Sequence, residues 1–150
     1  MTEMSKKEIK KFLMEGTFTA KLATVKKDGS PQVVPIWFVL DGNNSTEKVG
    51  DIVFTTYDTS LKARNIQRDN RVSICVDDQI PQFSFVTLHG TAKIYYYKQN
   101  ELLKWATKIA RRYIGKDNAE AYGKRNSTEG AVLVRMKSTK IIAEKDTAAW

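Results

Sequence analysis

Residues 55–65, TTYDTSLKARN, place hydroxyl and cationic side chains where an apolar, strand-like run gives way to a helical pattern. In a strand–turn–helix arrangement, the exposed backbone N–H groups and the dipole at the helix start attract an anion. The hydroxyls of Thr56 and Ser60 can donate to phosphate oxygens, and Lys62 or Arg64 is close enough along the chain to add a positive charge. The same spacing also fits an ordinary capped helix whose cations face water. The residue types alone leave a phosphate pocket and a plain helix start both open.

Few other residues could carry chemistry. The chain has one cysteine, Cys75, and one histidine, His89, so an internal disulfide is excluded and a zinc site would need carboxylate ligands as well. A Cys–His pair is open, although a cysteine in an apolar run is usually a small buried hydrophobe. Asp77 and Asp78 are adjacent, so on a strand they point to opposite faces and do not form an acid–base pair. No GxGxxG, P-loop or HExxH motif occurs, and we expect no bound metal.

The composition suits one small domain. A chain of 150 residues is too short for a second independent core, and its aromatic content of 10% argues against disorder. The net charge of +8 favours anionic partners such as phosphorylated cofactors, acidic substrates or nucleic acid, and solubility alone explains it equally well. No leader-like segment opens the chain, and no apolar stretch reaches the roughly 20 residues of a membrane span. We expect a single cytoplasmic domain over residues 1–150 that does not contact membranes.

The elements that would position residues 55–65 follow from hydrophobic periodicity and turn residues. A first helix has Ser5 as its N-cap, with Glu8 completing a capping box, and it ends near Gly16. The remaining patterns predict strands at 18–25, 31–40, 51–56, 71–78, 83–97 and 130–145, and helices at 59–68, 99–114 and 119–126. A doubly wound parallel sheet would need regular β–α alternation, which is missing. The sequence predicts a small, mainly antiparallel β-barrel of about six strands with two to four peripheral helices.

Two residues predict irregularities within these strands. Pro35 cannot donate to a ladder of backbone hydrogen bonds, which suggests an edge position or a bulge. Gly90 suggests a bulge or a close approach of another backbone. Residues 41–46, DGNNST, predict a loop.

Four segments, read in order, resemble one known family. They are ATxxxDGxP at 23–31, SxKxxNxxxxxRV at 60–72, FVTLHGTAKI at 85–94 and GAVLVRMKSTKI at 130–141. With these motifs the chain resembles the pyridoxamine 5′-phosphate oxidase-like flavin-binding proteins, a split β-barrel group that includes deazaflavin-dependent reductases. The resemblance spans about residues 8–145. It implies a split-barrel homodimer with two flavin-type cofactors at the subunit interface.

The resemblance also implies which residues hold the cofactor. The strand-to-helix segment would bind the phosphate, through Thr55, Thr56, Ser60, Lys62 and Asn65. The isoalloxazine ring would lie along the second long strand, over Val34, Pro35, Ile36 and Trp37. The chain departs from the pyridoxamine phosphate oxidases proper, because Leu61 precedes Lys62 where they carry arginine, and Trp150 does not replace their C-terminal Trp- and Arg-containing motif. This departure argues against oxidation of a vitamin B6 phosphate.

The expected cofactor is FMN, with the deazaflavin coenzyme F-420 as the alternative. Ser60 stands where some deazaflavin-binding relatives have arginine, and FMN needs few cations for its single terminal phosphate. The excess of lysine and arginine favours the deazaflavin instead, whose polyglutamate tail could meet Lys26 and Lys27.

Three functions follow as hypotheses. The first is a flavin-dependent oxidoreductase that transfers hydride to or from a small-molecule substrate, with a nicotinamide as a candidate electron donor. The second is a flavin-binding protein without turnover, because no side chain is a clear general acid. The third is a small barrel that binds nucleic acid through Tyr95, Tyr96 and Tyr97, which we rank last because a tyrosine run leading into a helix is more often part core and part edge.

Overall fold

The computed structural model describes residues 2–42 and 48–148, so part of the predicted loop at 41–46 and Trp150 lie outside the described residues. Its strands are β1 (Thr2–Glu3), β2 (Ala20–Val25), β3 (Pro31–Ile36), β4 (Val39–Asp41), β5 (Asp51–Tyr57), β6 (Arg71–Asp77), β7 (Phe85–Tyr95) and β8 (Ala131–Lys145). Its helices are α1 (Lys6–Leu13), α2 (Leu61–Arg68), α3 (Gln99–Ile114) and α4 (Lys116–Arg125). In this part of the chain there are eight strands, because β1 is additional to the prediction and the run 31–40 is divided into β3 and β4.

The sheet confirms the predicted antiparallel, split architecture. Its strands are ordered β3-β2-β6-β7-β8-β5-β4, every described pair is antiparallel, and β1 pairs with β8 beside this path. β3 and β4 therefore lie at opposite ends of the sheet, although only Trp37 and Phe38 separate them in sequence. The chain crosses from one sheet edge to the other at these two residues, and the sheet stays open there.

Side chains of α3 hold this crossing in place. The Phe38 N–H donates to the Tyr113 hydroxyl at 3.2 Å, and the Arg112 guanidinium donates to the Phe38 carbonyl at 2.8 Å. The Phe38 ring is fully buried, 4.6 Å below the Arg112 guanidinium. Because buried backbone groups need partners, α3 supplies at the crossing the hydrogen bonds that a neighbouring strand would otherwise make.

Arg112 also ties α1 to this point. Its guanidinium donates to the carbonyl oxygens of Leu13 at 2.7 Å and Gly16 at 3.1 Å, where α1 has just ended. Burial lowers the pKa of the Arg112 guanidinium, and in the described chain no carboxylate pairs with it. Charge-assisted bonds to carbonyls are the interactions that compensate its desolvation.

Three smaller expectations about local structure also hold: the capping box of α1, the edge position of Pro35 and the bulge at Gly90. Ser5 and Glu8 form the capping box of α1, with Glu8 N–H donating to Ser5 Oγ at 3.2 Å. Pro35 lies on the edge strand β3, which among the described strands pairs with β2 alone. The register between β7 and β8 shifts at His89 and Gly90, and a Cβ on Gly90 would collide with the backbone of β8. None of the described helices is long and apolar enough to cross a membrane.

We expect Arg112→Met to lower the free energy of unfolding by about 2–3 kcal/mol, because it leaves part-buried carbonyls without their charged donor. Urea denaturation measures this loss. Arg111→Met is the matched control, since Arg111 is exposed on the same helical turn and should change stability by about 0.5 kcal/mol or less. Equal losses in the two variants would contradict the role given to Arg112.

Candidate functional site

A cleft of about 360 Å³ opens where the two halves of the sheet separate. It lies between the end of β3, the end of β5, the first turn of α2 and one face of α3. Six of the nine residues predicted for the cofactor site line it: Pro35, Ile36, Trp37, Thr55, Thr56 and Lys62. The other lining residues are Tyr57, Ala106, Ile109, Ala110 and Asn126. The tertiary structure thus brings together two segments that are about twenty residues apart in sequence.

The hydroxyl groups of the cleft meet at the start of α2. Ser60 is the N-cap: its Oγ accepts from the Ala63 N–H at 3.2 Å and from the Thr56 hydroxyl at 3.0 Å, and its own proton can still be donated. The first turn of α2 contains no acidic residue. The positive end of the helix dipole therefore has no carboxylate of its own turn opposing it. This arrangement favours an anion beside Thr56 and Ser60.

Lys62 adds a half-buried positive charge to the same place. In the described part of the chain it forms no ion pair, and burial lowers the pKa of its ammonium group because desolvation disfavours the charged form. An anion in the cleft would supply the missing counter-charge. Arg64, the other cation considered for this role, is exposed and lines a different groove.

Trp37 forms an aromatic wall that is braced from behind. Its ring stacks on Tyr113 of α3 at 5.1 Å between centroids and 6° between planes, and Tyr122 of α4 lies at 6.1 Å. The Tyr113 hydroxyl donates to the Phe18 carbonyl at 2.9 Å, which fixes the stacked ring. Trp37 is still 37% exposed, so it keeps surface for a ligand.

Three of the nine predicted residues do not line the cleft. Side chains alternate along β3, so Val34 packs against the core while Pro35 is exposed. Asn65 is completely buried, and its amide donates to Thr24 Oγ1 at 3.0 Å and Gln32 Oε1 at 3.3 Å. Asn65 therefore joins α2 to β2 and β3. Ser60 borders the cleft through Thr56 rather than lining it.

Residues of the later helices α3 and α4 also line the cleft, and the sequence patterns do not predict them. Asn126, the C-cap of α4, lines the cleft about sixty residues after Lys62, and no local pattern marks it. The apolar stripe of α3 includes Ala106, Ile109 and Ala110. The stripe indicates that this face of the helix is buried, but it does not indicate which part of the protein the face contacts. The Tyr57 hydroxyl donates to the Arg125 carbonyl at 2.8 Å, which joins β5 to the end of α4.

The remaining chemical candidates are engaged elsewhere. His89 Nδ1 lies 2.7 Å from Ser73 Oγ across β6 and β7. Asp77 pairs with Lys21 at 2.9 Å, and Asp78 accepts from the Ile80 N–H. No group of three or more His, Cys, Asp or Glu residues that could hold a metal occurs among the described residues.

The open antiparallel sheet with its cleft at the split is the fold of a known protein class. The sequence model of the pyridoxamine 5′-phosphate oxidase family matches residues 5–142, and the chain belongs to this family. A comparison with curated proteins finds no match.

Solved structures show the same architecture. The conserved hypothetical protein Rv2991 from Mycobacterium tuberculosis is similar, with a TM-score of 0.79 and 26% identity over 95% of this chain and 86% of that chain. An F420 reductase is similar, with a TM-score of 0.66 and 25% identity over 87% of this chain and 94% of that chain. HutZ, a haem storage protein from Vibrio cholerae, shares the fold at 20% identity, with a TM-score of 0.67 over 93% of this chain and 96% of that chain.

We expect Lys62→Ala to weaken the binding of a phosphorylated flavin by at least ~1 kcal/mol, the usual size of a lost charge-assisted contact. Titration calorimetry or flavin fluorescence measures the change. Lys7→Ala removes an exposed lysine of α1 and is the control for net charge. An affinity that is the same in both variants would remove Lys62 from the site.

The lowered pKa of Lys62 predicts a pH dependence. In the unliganded protein its charge costs stability below the lowered pKa, and this cost disappears as pH rises towards the ordinary value of 10.5. A bound anion offsets the cost. Thermal stabilisation by inorganic phosphate should therefore be largest near neutral pH, shrink towards pH 10.5, and lose this dependence in Lys62→Met. The same dependence in Lys62→Met would assign it to other groups.

Proposed function

We propose that this protein is a flavin-dependent oxidoreductase that binds FMN in the cleft and acts on a small molecule. The observation that carries the proposal is the meeting of two unlike surfaces across the split. Hydroxyls, a helix start and Lys62 form one end, and the exposed faces of Pro35 and Trp37 form the other. The first surface suits a phosphate, and the second suits a flat aromatic ring.

The chemistry of the lining residues fits such a cofactor. Thr56, Ser60 and the first N–H groups of α2 would bind the phosphate oxygens, and Lys62 would neutralise their charge. The apolar face of α3, with Ala106 and Ala110, leaves room beside Trp37 because both side chains are small. A flavin bound there supplies hydride transfer, and the protein contributes binding, orientation and exclusion of water.

FMN fits this phosphate end better than a more highly charged cofactor. Of the cations predicted for the site, only Lys62 lines the described cleft, and a single phosphate matches a single charge plus a helix start. The deazaflavin coenzyme F-420 remains the second candidate, because a similar solved structure is an F420 reductase. Both cofactors carry a tricyclic ring and a phosphate, so the same residues would hold either one.

The proposed assembly is a homodimer in which the partner subunit closes the cleft. Val33 of the edge strand β3 is 65% exposed, and Trp37, immediately after β3, is more than one-third exposed. An edge strand with exposed apolar residues is a surface that proteins usually cover. A second copy placed there would also exclude water from the ring.

The cofactor is identified by releasing the chromophore from the purified protein with heat and recording its absorption spectrum and mass. FMN is the expected result, and coenzyme F-420 would select the alternative. Protein that takes up neither compound after reconstitution would contradict flavin binding. Trp37→Leu tests the ring site, and Trp105→Leu is its control, because Trp105 is on α3 but does not line the cleft. Only Trp37→Leu should change the spectrum of the bound flavin.

Turnover is tested separately. Reduction of the bound cofactor by a nicotinamide, followed by reoxidation with a panel of small-molecule acceptors, should proceed over many cycles. Binding of flavin without turnover across a broad panel would favour a storage protein instead.

A further inference from the structure

A second cavity, of about 580 Å³, lies on the other side of the first turn of α2. We call it the basic groove. It runs between the β2–β3 hairpin and the outer face of α2, and it is lined by Lys26, Lys27, Asp28, Leu61, Arg64, Asn65 and Arg68. Leu61 faces the groove while the next residue, Lys62, lines the cleft. One helical turn therefore separates the two cavities.

Most cations of the basic groove have no ion-pair partner among the described residues. Four of its side chains are cationic, and in the described residues Lys26, Lys27 and Arg64 form no ion pair. The single carboxylate, that of Asp28, accepts from the N–H of Ser30 at 3.0 Å and from its hydroxyl at 2.5 Å. The groove thus presents a concentrated positive charge to an anion with more than one negative group.

One cation of the groove is held by a buried network. Arg68 Nη2 donates to Asn65 Oδ1 at 2.8 Å, and the Asn65 amide is fixed in turn by Thr24 and Gln32. Asn65 and Thr24 are both buried. A guanidinium held in this way loses little conformational entropy when it binds a phosphate.

The groove also has an apolar part. The Leu61 side chain is 49% exposed there, and Arg64 follows one turn later on the same helix face. A base can pack on the leucine and against a planar guanidinium, while phosphates meet the lysines. An anion with carboxylates alone would gain nothing from this apolar surface. The combination favours a nucleotide.

We propose that the basic groove binds a nucleoside carrying more than one phosphate. The role of this nucleotide rests on the proposed function: it would be the phosphorylated end of a nicotinamide dinucleotide that donates electrons to the flavin. One phosphate could then bind to the lysines of the β2–β3 hairpin, and another could bind to Arg68 of α2. The groove would favour the dinucleotide that carries the additional 2′-phosphate.

The test is the binding of adenosine 2′,5′-bisphosphate to the full-length protein, with and without flavin, by titration calorimetry at physiological salt. Arg64→Glu and Lys27→Glu should each weaken binding about tenfold or more, since each reverses a charge at the groove. Both residues are exposed, so the fold should persist, and thermal unfolding checks this. Arg111→Glu makes the same change in net charge at an exposed position of α3 and should leave the affinity within about twofold.

Three outcomes would overturn the proposal. One is the absence of nucleotide binding, and another is an equal loss in Arg111→Glu, which would indicate attraction by net charge alone. The third is stronger binding of oligoglutamate than of the nucleotide, which would assign the groove to an acidic chain. Binding to flavin-free protein makes the test independent of the cofactor. An absence of nucleotide binding to the groove can therefore be distinguished from an absence of flavin binding to the cleft.

With flavin-loaded protein, we expect the basic groove to favour NADPH over NADH as the electron donor. The ratio of kcat/KM for NADPH over NADH should exceed one and fall in Arg64→Glu. A ratio that does not change in this variant would contradict the assignment.

Discussion

The two-residue crossing at Trp37 and Phe38 is the constraint on which the rest of the structure depends. At this point the chain leaves one edge of the sheet and joins the other, so neither residue pairs with any of the described strands. Arg112 and Tyr113 supply the missing hydrogen bonds from adjacent positions of α3. The same guanidinium also binds the carbonyl at the end of α1. One turn of α3 thereby fixes a helix, two strands and the opening between them.

The cleft is a consequence of that crossing. A closed barrel would join β3 to β4 by hydrogen bonds, whereas here the two edges separate and leave room for a ligand. Tyr113 stacks on Trp37 from behind, so the side chain that holds the crossing also sets the aromatic wall. β5 brings Thr55 and Thr56 to the opposite side. Stability and the proposed ligand binding share these residues, and substitutions at Tyr113 should affect both.

The first turn of α2 divides the surface into two sites of different character. On one side Lys62 lines a cleft that has an aromatic wall, and Ser60 borders this cleft through Thr56. On the other side lies the basic groove, where exposed cations surround Leu61. Asn65 is buried between these surfaces and holds α2 against the first hairpin. A short helix can border both cavities because successive side chains point in directions about 100° apart.

The sequence by itself determined the local elements, the antiparallel class and the family, because period-two and helical patterns, turn residues and ordered motifs are properties of neighbouring residues. It also determined the chemistry of residues 55–65, though not whether they face a ligand. Only the tertiary structure decided that Lys62 and Trp37 share a cleft, that Asn65 is buried and that Asn126 contributes to the wall. These facts depend on contacts between distant segments. The division of the run 31–40 into β3 and β4 also depends on such contacts. Phe38, between the two strands, is hydrogen-bonded to Arg112 and Tyr113, about 75 residues further along the chain.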